Sequence, residues 1–348
     1  MCLRRAASLA RHASPRRARL LTYAPALLFV ALAVSARTLA QGDSAPQASN
    51  QIENEDAGEV ERVETNLVTV PVFVTDGRGR RVAGLRREEF ELRDAGRPVE
   101  ATFFASGADR VALLFLLDAS GSASQTLDAQ REAALSLFAR FGRGSRVAVK
   151  HFQETVENTL PFTDDPTKAG DGFHFFSFPN QGTAIFDAAL LAARGFQRDE
   201  PHPTARRIVI LISDGLDTAS TAPASEAIRA ARASNVSFYV IHLPLFAPRE
   251  GRLAPRPTAK GFRDLAEETG GRFFTVGDAA DALNPRARPR LEPVFEAIAE
   301  DLRGQYLLGF YPASAAERAS NRRIEVRLTS RGRGRLRVRA LRDSYQLK

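Results

Sequence analysis

Cysteine is almost absent: Cys2 is the single one in 348 residues, and it lies in a leading segment that reads as a removable export signal. The processed chain then carries no thiol, which excludes disulfide bridges and thiolate metal sites. Histidine is scarce too, with five in the chain. His151, His174, His202 and His242 stand outside every motif singled out below, and His151 and His242 fall in strand-like apolar runs that suit a core role. No HExxH pair, glycine-rich phosphate loop or nucleophile elbow occurs. The expectation is a protein that is not an enzyme. Acidic residues are missing from the first forty positions, where seven arginines stand alone; without them the formal charge falls from +8 to +1. Nucleic acid is therefore not an expected partner.

Residues 1–40 have the layout of a signal peptide. Arg4, Arg5, Arg11, Arg16, Arg17 and Arg19 precede the apolar segment Leu20–Ala36. Val34-Ser35-Ala36 and Thr38-Leu39-Ala40 offer small residues for cleavage. The expected address is the periplasm, the cell envelope or the exterior, and Arg16-Arg17 hints at the twin-arginine route. The competing reading is an uncleaved anchor, although the segment is at the short limit for spanning and contains Pro25. Residues 41–60 are polar and acidic with few large apolar side chains, as in a disordered linker.

The stretch Val111–Ser122, VALLFLLDASGS, changes character within one residue. Its first seven residues are apolar, as in a strand buried on both faces of a parallel sheet. Asp118, Ser120 and Ser122 then place oxygen-bearing side chains on alternate positions, with Gly121 to turn the backbone. The second piece, Gly182-Thr183-Ala184-Ile185-Phe186-Asp187, reads as a loop entering a helix with Thr183 as its N-cap. The third is the apolar run Arg207–Ser213, which ends in Asp214 before Gly215. Strand ends of an open α/β sheet are where such folds carry ligands. An all-oxygen set suits a hard cation such as Mg2+.

A DxSxS segment, a later Thr and a later Asp before Gly resemble the metal-ion-dependent adhesion site of von Willebrand factor A domains, and Asp118, Ser120, Ser122, Thr183 and Asp214 match its five positions. The resemblance implies a bound Mg2+ or Mn2+ and a partner that offers a carboxylate to it. The segment from Asn66 to Phe104, with NLVTVPVFVTDGRGRRVAGL at its start, is also similar to the region preceding the A domain in the VWFA-related family common in acidobacteria.

The rest of the chain is consistent with an α/β protein: a Rossmann-like, doubly wound, mostly parallel sheet over residues 108–303, with a small β-sandwich-like module from its flanks. Residues 61–107 contain about three short strands, beginning with the alternating Val68, Val70, Val72 and Val74; Pro71 favours an edge position there. Residues 304–348 return to β character. Neither flank has strands enough to stand alone, so the two are expected to pair. Arg327, Arg331, Arg333, Arg335, Arg337, Arg339 and Arg342 make the tail basic, either as a solvated face or as a contact for an anionic surface such as lipid headgroups or polysaccharide. Two loops exceed what the scaffold needs, Thr163–Gly182 and Pro244–Ala259. The first holds the aromatic run Phe173-His174-Phe175-Phe176-Ser177-Phe178, read as core filling in preference to a partner surface.

The functional expectation is an exported, metal-dependent protein-binding or adhesion module. An adaptor of an ATPase complex is the alternative, and a metal-dependent hydrolase a more remote one.

Overall fold

A computed structural model describes residues 67–346, apart from 108–109, 121–126, 142–143, 175–181, 200–201, 203, 285, 313–320 and 330–335. The expected signal (1–40), the linker (41–60), Ser122, Phe175–Phe178 and Arg331, Arg333 and Arg335 thus lie outside the described residues.

The elements follow in order: β1 (Val68–Thr75), β2 (Phe90–Asp94), β3 (Arg97–Val99), β4 (Phe103–Ser106), β5 (Val111–Asp118), α1 (Leu127–Phe138), β6 (Arg146–Phe152), β7 (Val156–Thr163) and α2 (Pro166–Asp171). Then come α3 (Ile185–Asp199), β8 (Arg206–Ser213), α4 (Ala224–Ala233), β9 (Val236–His242), β10 (Phe246–Arg249), β11 (Arg252–Pro255), α5 (Phe262–Glu267) and β12 (Phe273–Thr275). The chain closes with α6 (Ala279–Leu283), α7 (Glu292–Arg303), β13 (Gln305–Phe310), β14 (Arg322–Leu328), β15 (Arg337–Ala340) and β16 (Ser344–Tyr345).

The central sheet runs β12-β9-β8-β5-β6-β7, with β7 alone antiparallel. Every residue of β5 and β9 is buried. Both faces of the sheet are covered. One packs Leu114, Leu116, Val209 and Val240 against α3, α4 and α5; the other packs Leu113, Phe115, Ile210 and Ile241 against α1 and α7. Such burial explains why these strands read as unbroken apolar runs. Phe173, the first of the aromatic run, is core: it is buried and meets Phe115 edge-on at 5.3 Å.

Strands from the two flanks interleave. One four-stranded sheet has the order β15-β1-β13-β4 and the other β16-β14-β2-β3. Between them lies a separate core of Val68, Val70, Val72, Leu92, Tyr306, Leu308, Phe310 and Ile324. The expectation for Pro71 needs correction. β1 is an inner strand, paired with β13 along its length and with β15 from Val72 onward. Its missing N–H falls where β15 stops: Leu341 N donates to Pro71 O at 2.9 Å, and one step further the Asn235 side chain donates to Thr69 O at 3.1 Å. A proline is tolerated there because no partner strand awaits its proton.

A buried polar network joins the module to the central sheet. Arg81 Nε donates to Asp301 Oδ1 on α7 at 2.9 Å and its Nη2 to Gly270 O at 3.1 Å. Tyr239 OH donates to Asp301 Oδ2 at 2.7 Å, and Gln305 Nε2 donates to Tyr239 OH at 2.8 Å. Burial, and the Asp301 charge beside it, push the Tyr239 phenol well above its usual range, so it remains a donor. The tail arginines that are described are largely engaged. Arg339 donates to Glu267 O at 3.1 Å, at the carbonyl end of α5; Arg327 pairs with Glu325 at 2.8 Å.

Within the module, Arg322 on β14 meets Asp94 on β2 at 2.8 Å, with side-chain exposures of 10% and 2%. Tyr345 OH donates to the same carboxylate at 2.9 Å. Removing one member of such a pair strands a buried charge. Arg322→Met is expected to lower unfolding stability by about 3–5 kcal/mol in denaturant titration, whereas Arg322→Met with Asp94→Leu should recover much of the loss.

Candidate metal centre

β5, β8 and β9 are parallel neighbours buried along almost their whole length, and the polar side chains of the candidate site stand at their ends. β5 ends in Asp118, only 3% exposed. Its Oδ1 accepts from Ser120 N at 2.9 Å and its Oδ2 from Ser213 Oγ at 2.7 Å. Asp214 lies next to Ser213, at the end of the neighbouring strand, so the two carboxylates sit side by side. Burial, and secondarily the Asp214 charge, raise the Asp118 carboxyl above its usual range despite the bonds from Ser213 and Ser120. A cation between two such groups reverses both unfavourable effects.

Asp214 is held from several directions. Leu216 N donates to its Oδ1 at 2.9 Å, and His242 Nε2 donates to its backbone O at 3.0 Å. Packed between Phe262 and Phe273, His242 is driven below the usual imidazole range by burial, as a neutral donor. Gly215 follows with φ +80°; a Cβ there would come within 2.6 Å of Thr258 Cγ2 and 2.9 Å of Phe262. Only glycine meets both demands.

Thr183 arrives on the third loop. It is 7% exposed, and its hydroxyl has no hydrogen bond among the described residues. The expectation that it caps α3 is corrected. The first amides of that helix are satisfied from the loop after β8: Phe186 N donates to Asp217 Oδ2 at 3.1 Å and to Ser220 Oγ at 2.9 Å. With the capping done by other groups, the Thr183 oxygen is left unspent at the site. Its own amide donates to Thr218 Oγ1 at 2.9 Å, and its carbonyl accepts from Thr218 N and Ala219 N.

Gln153 ties the remaining pieces together. Its Nε2 donates to Ala119 O at 2.8 Å, and its backbone O accepts from Ala184 N at 2.7 Å. With Ser213 Oγ on Asp118 and Thr218 on Thr183, the loops bearing Asp118, Thr183 and Asp214 are one hydrogen-bonded unit. Gln153, Ser213, Asp217 and Ser220 were not singled out from the sequence. For Gln153 and Ser213 the signal available was position, a polar residue directly at or after the end of a buried strand; Asp217 and Ser220 lie further along the loop and carried none. His151, by contrast, bonds Thr159 and Glu157 of the neighbouring strand and belongs to the sheet edge.

Among the described residues no three His, Cys, Asp or Glu side chains come together. A set of two carboxylates and neutral hydroxyls is of a different kind. Its charge just matches a divalent ion, and its all-oxygen chemistry fits Mg2+ or Mn2+.

A match to a known family agrees with the fold. Residues 113–216 match the von Willebrand factor type A domain family, a span containing all five candidate ligands. The chain therefore carries a von Willebrand factor type A domain. No curated protein sequence matches. Among solved structures, an aerotolerance-related membrane protein from Bacteroides fragilis, carrying multiple mutations to serine, is 22% identical at TM-score 0.42, covering 55% of this chain and 98% of that one. BatB from Bacteroides thetaiotaomicron, a conserved hypothetical protein, is 23% identical at TM-score 0.42, covering 55% and 96%. Proximal thread matrix protein 1 from the mussel byssus, solved with a zinc-occupied adhesion-site motif, is 18% identical at TM-score 0.44, covering 57% and 50%. Among the described residues of the present chain, no helix is long and apolar enough to cross a membrane.

One acid supports the site from behind. Burial opposes ionisation of Asp187, but the amides of Thr221 and Ala222 and the Thr221 hydroxyl outweigh it and lower the carboxyl. A lowered folded value means stability that is full above the unfolded carboxylate range and is lost as pH falls through the folded one. Asp187→Asn is expected to lower the melting temperature at neutral pH and to leave a flatter acid limb below about pH 4. An acid limb identical to wild type would remove Asp187 from this role.

Proposed function

We propose that the A domain holds Mg2+ or Mn2+ through Asp118, Ser120, Ser122, Thr183 and Asp214, and uses it to capture a carboxylate of a protein partner. The observation that carries this reading is the hydroxyl of Thr183, a residue only 7% exposed, which has no hydrogen bond among the described residues and stands in a loop tied to those of Asp118 and Asp214. The bound ion would supply Lewis acidity with a replaceable water, and three hydroxyls in place of further carboxylates keep that acidity from being quenched. The protein's own part is rigidity: Ser213 and Ser120 aim Asp118, His242 and Leu216 aim Asp214, and Gln153 fixes the spacing of the loops. Binding, not turnover, is the proposed activity. His242 is committed to a backbone carbonyl and His151 to the sheet edge, which leaves neither of them as a base for hydrolysis.

Millimolar Mg2+ or Mn2+ should raise the melting temperature by mass action on the folded state, by an amount equivalent to about 2.7 kcal/mol at a hundredfold excess over Kd. Asp118→Ala and Asp214→Ala should each abolish the gain. A gain retained in both variants would refute the assignment.

Export is proposed with it, on the arginine-then-apolar layout of residues 1–40. The mature N-terminus is expected near Arg37 or Gln41, with no free thiol. Intact Met1 or Cys2, found by mass spectrometry on envelope material, would replace cleavage by anchoring.

A further inference from the structure

β5, β8, β9 and β12 are parallel neighbours, so the loops after β9 and β12 leave from the same sheet edge as Asp118 and Asp214. The loop after β9 is a tight hairpin. β10 and β11 pair from Phe246↔Pro255 to Arg249↔Arg252, closed by Glu250 and Gly251 at φ +52° and +74°. That is the twist-matched two-residue turn. Arg249 and Arg252 are therefore directly opposed across the strand pair, on one face and both exposed. Like charges placed so are destabilising. Neither has an ion pair or side-chain hydrogen bond among the described residues, although Glu250 lies between them.

The loop after β12 adds to this charge. α6 packs on β11, and the segment following it exposes Arg286, Arg288 and Arg290, with Arg256 exposed just beyond the hairpin. Asp278 and Asp281 of α6 are spent on that helix's own capping box. None of the six arginines is paired with an acid among the described residues. A concentration of unneutralised guanidinium groups on one side of a cation site costs stability unless it meets an anion.

We infer that the β10–β11 hairpin and the Arg286–Arg290 segment form a second contact surface for an acidic protein segment, one that extends from the metal-bound carboxylate. The first carboxylate rests on the proposed function above; the arginine surface stands on its own geometry. Side chains must do the binding, because Pro248 and Pro255 blunt the hairpin against strand addition. A nucleic acid fits less well. The large apolar side chains that stand out as exposed among the described residues are Leu191, Leu283 and Tyr311; of these only Leu283, at the end of α6, belongs to this region, and the one aromatic of the hairpin, Phe246, is half-buried at the end away from Arg249 and Arg252. Carboxylates meet guanidinium groups in paired, planar bonds.

The test uses the processed full chain and a fluorescent octa-aspartate peptide, with Kd measured by anisotropy in Mg2+ and in EDTA. Arg249→Glu with Arg252→Glu should weaken binding about tenfold or more in both media, as expected for two exposed charges turned repulsive. The variant should keep the wild-type melting temperature and its Mg2+-induced gain. Neutralising Arg286, Arg288 and Arg290 to Gln should give a smaller loss and a shallower salt dependence. An unchanged Kd in both variants overturns the proposal, as does tighter arginine-dependent binding of an RNA oligonucleotide or of phosphatidylglycerol vesicles at equal ionic strength. Arginine-dependent binding in a protein that shows no Mg2+-induced gain supports this surface and removes the metal reading instead.

Discussion

The constraint on which the rest depends is burial of the central strands on both faces. β5 and β9 expose nothing along their length, so a polar side chain in their interior needs a partner, as Tyr239 of β9 has in Asp301 and Gln305. Polar chemistry is pushed to where the strands stop. Asp118, Ser213, Asp214 and His242 all stand within a residue or two of a strand end. Parallel pairing then gathers these ends on one edge, and the buried carboxylate of Asp118 is admitted because Ser213 and Ser120 hydrogen-bond it. The same packing that stabilises the domain assembles its candidate site.

The second feature is how the flanks are joined to this sheet. The strands before and after the A domain share two sheets and one core, which anchors the domain at both ends. Arg81, Asp301, Tyr239 and Gln305 satisfy one another where the two cores meet. Each is buried or nearly so, and a partly satisfied network at that place would cost more than an apolar one. Phe73 is covered by the Arg81 guanidinium at 3.7 Å and approached by Arg339 at 5.6 Å. Part of the basic tail is thus consumed in holding the module to α5 and is not available to a partner surface.

The basic hairpin contrasts with this. The described tail arginines mostly reach carbonyls or acids; Arg249 and Arg252 face one another with neither. Equal charge counts in a sequence therefore carry different meanings according to what lies opposite in space.

Much of the fold was legible because it follows from periodicity. The unbroken run Val111–Leu117 has one stable solution, a doubly buried strand; the alternation of Val68 to Val74 gave a strand but not its burial, because Thr69 and Phe73 on the other face are buried as well. The chain order of Asp118, Ser120, Ser122, Thr183 and Asp214 was legible as well, since each sits at a change from apolar to polar. What the sequence could not determine is pairing. Pro71 pointed to an edge, yet β1 lies inside its sheet because β15 ends one residue short of the missing N–H. Thr183 pointed to a cap, yet Asp217 and Ser220 from another loop supply it. Pro244–Ala259 carried no sign that Arg249 and Arg252 would face each other, because that depends on a two-residue turn with both φ values positive. Local pattern decides which face of an element is apolar; which groups meet across space is decided only when the elements pack.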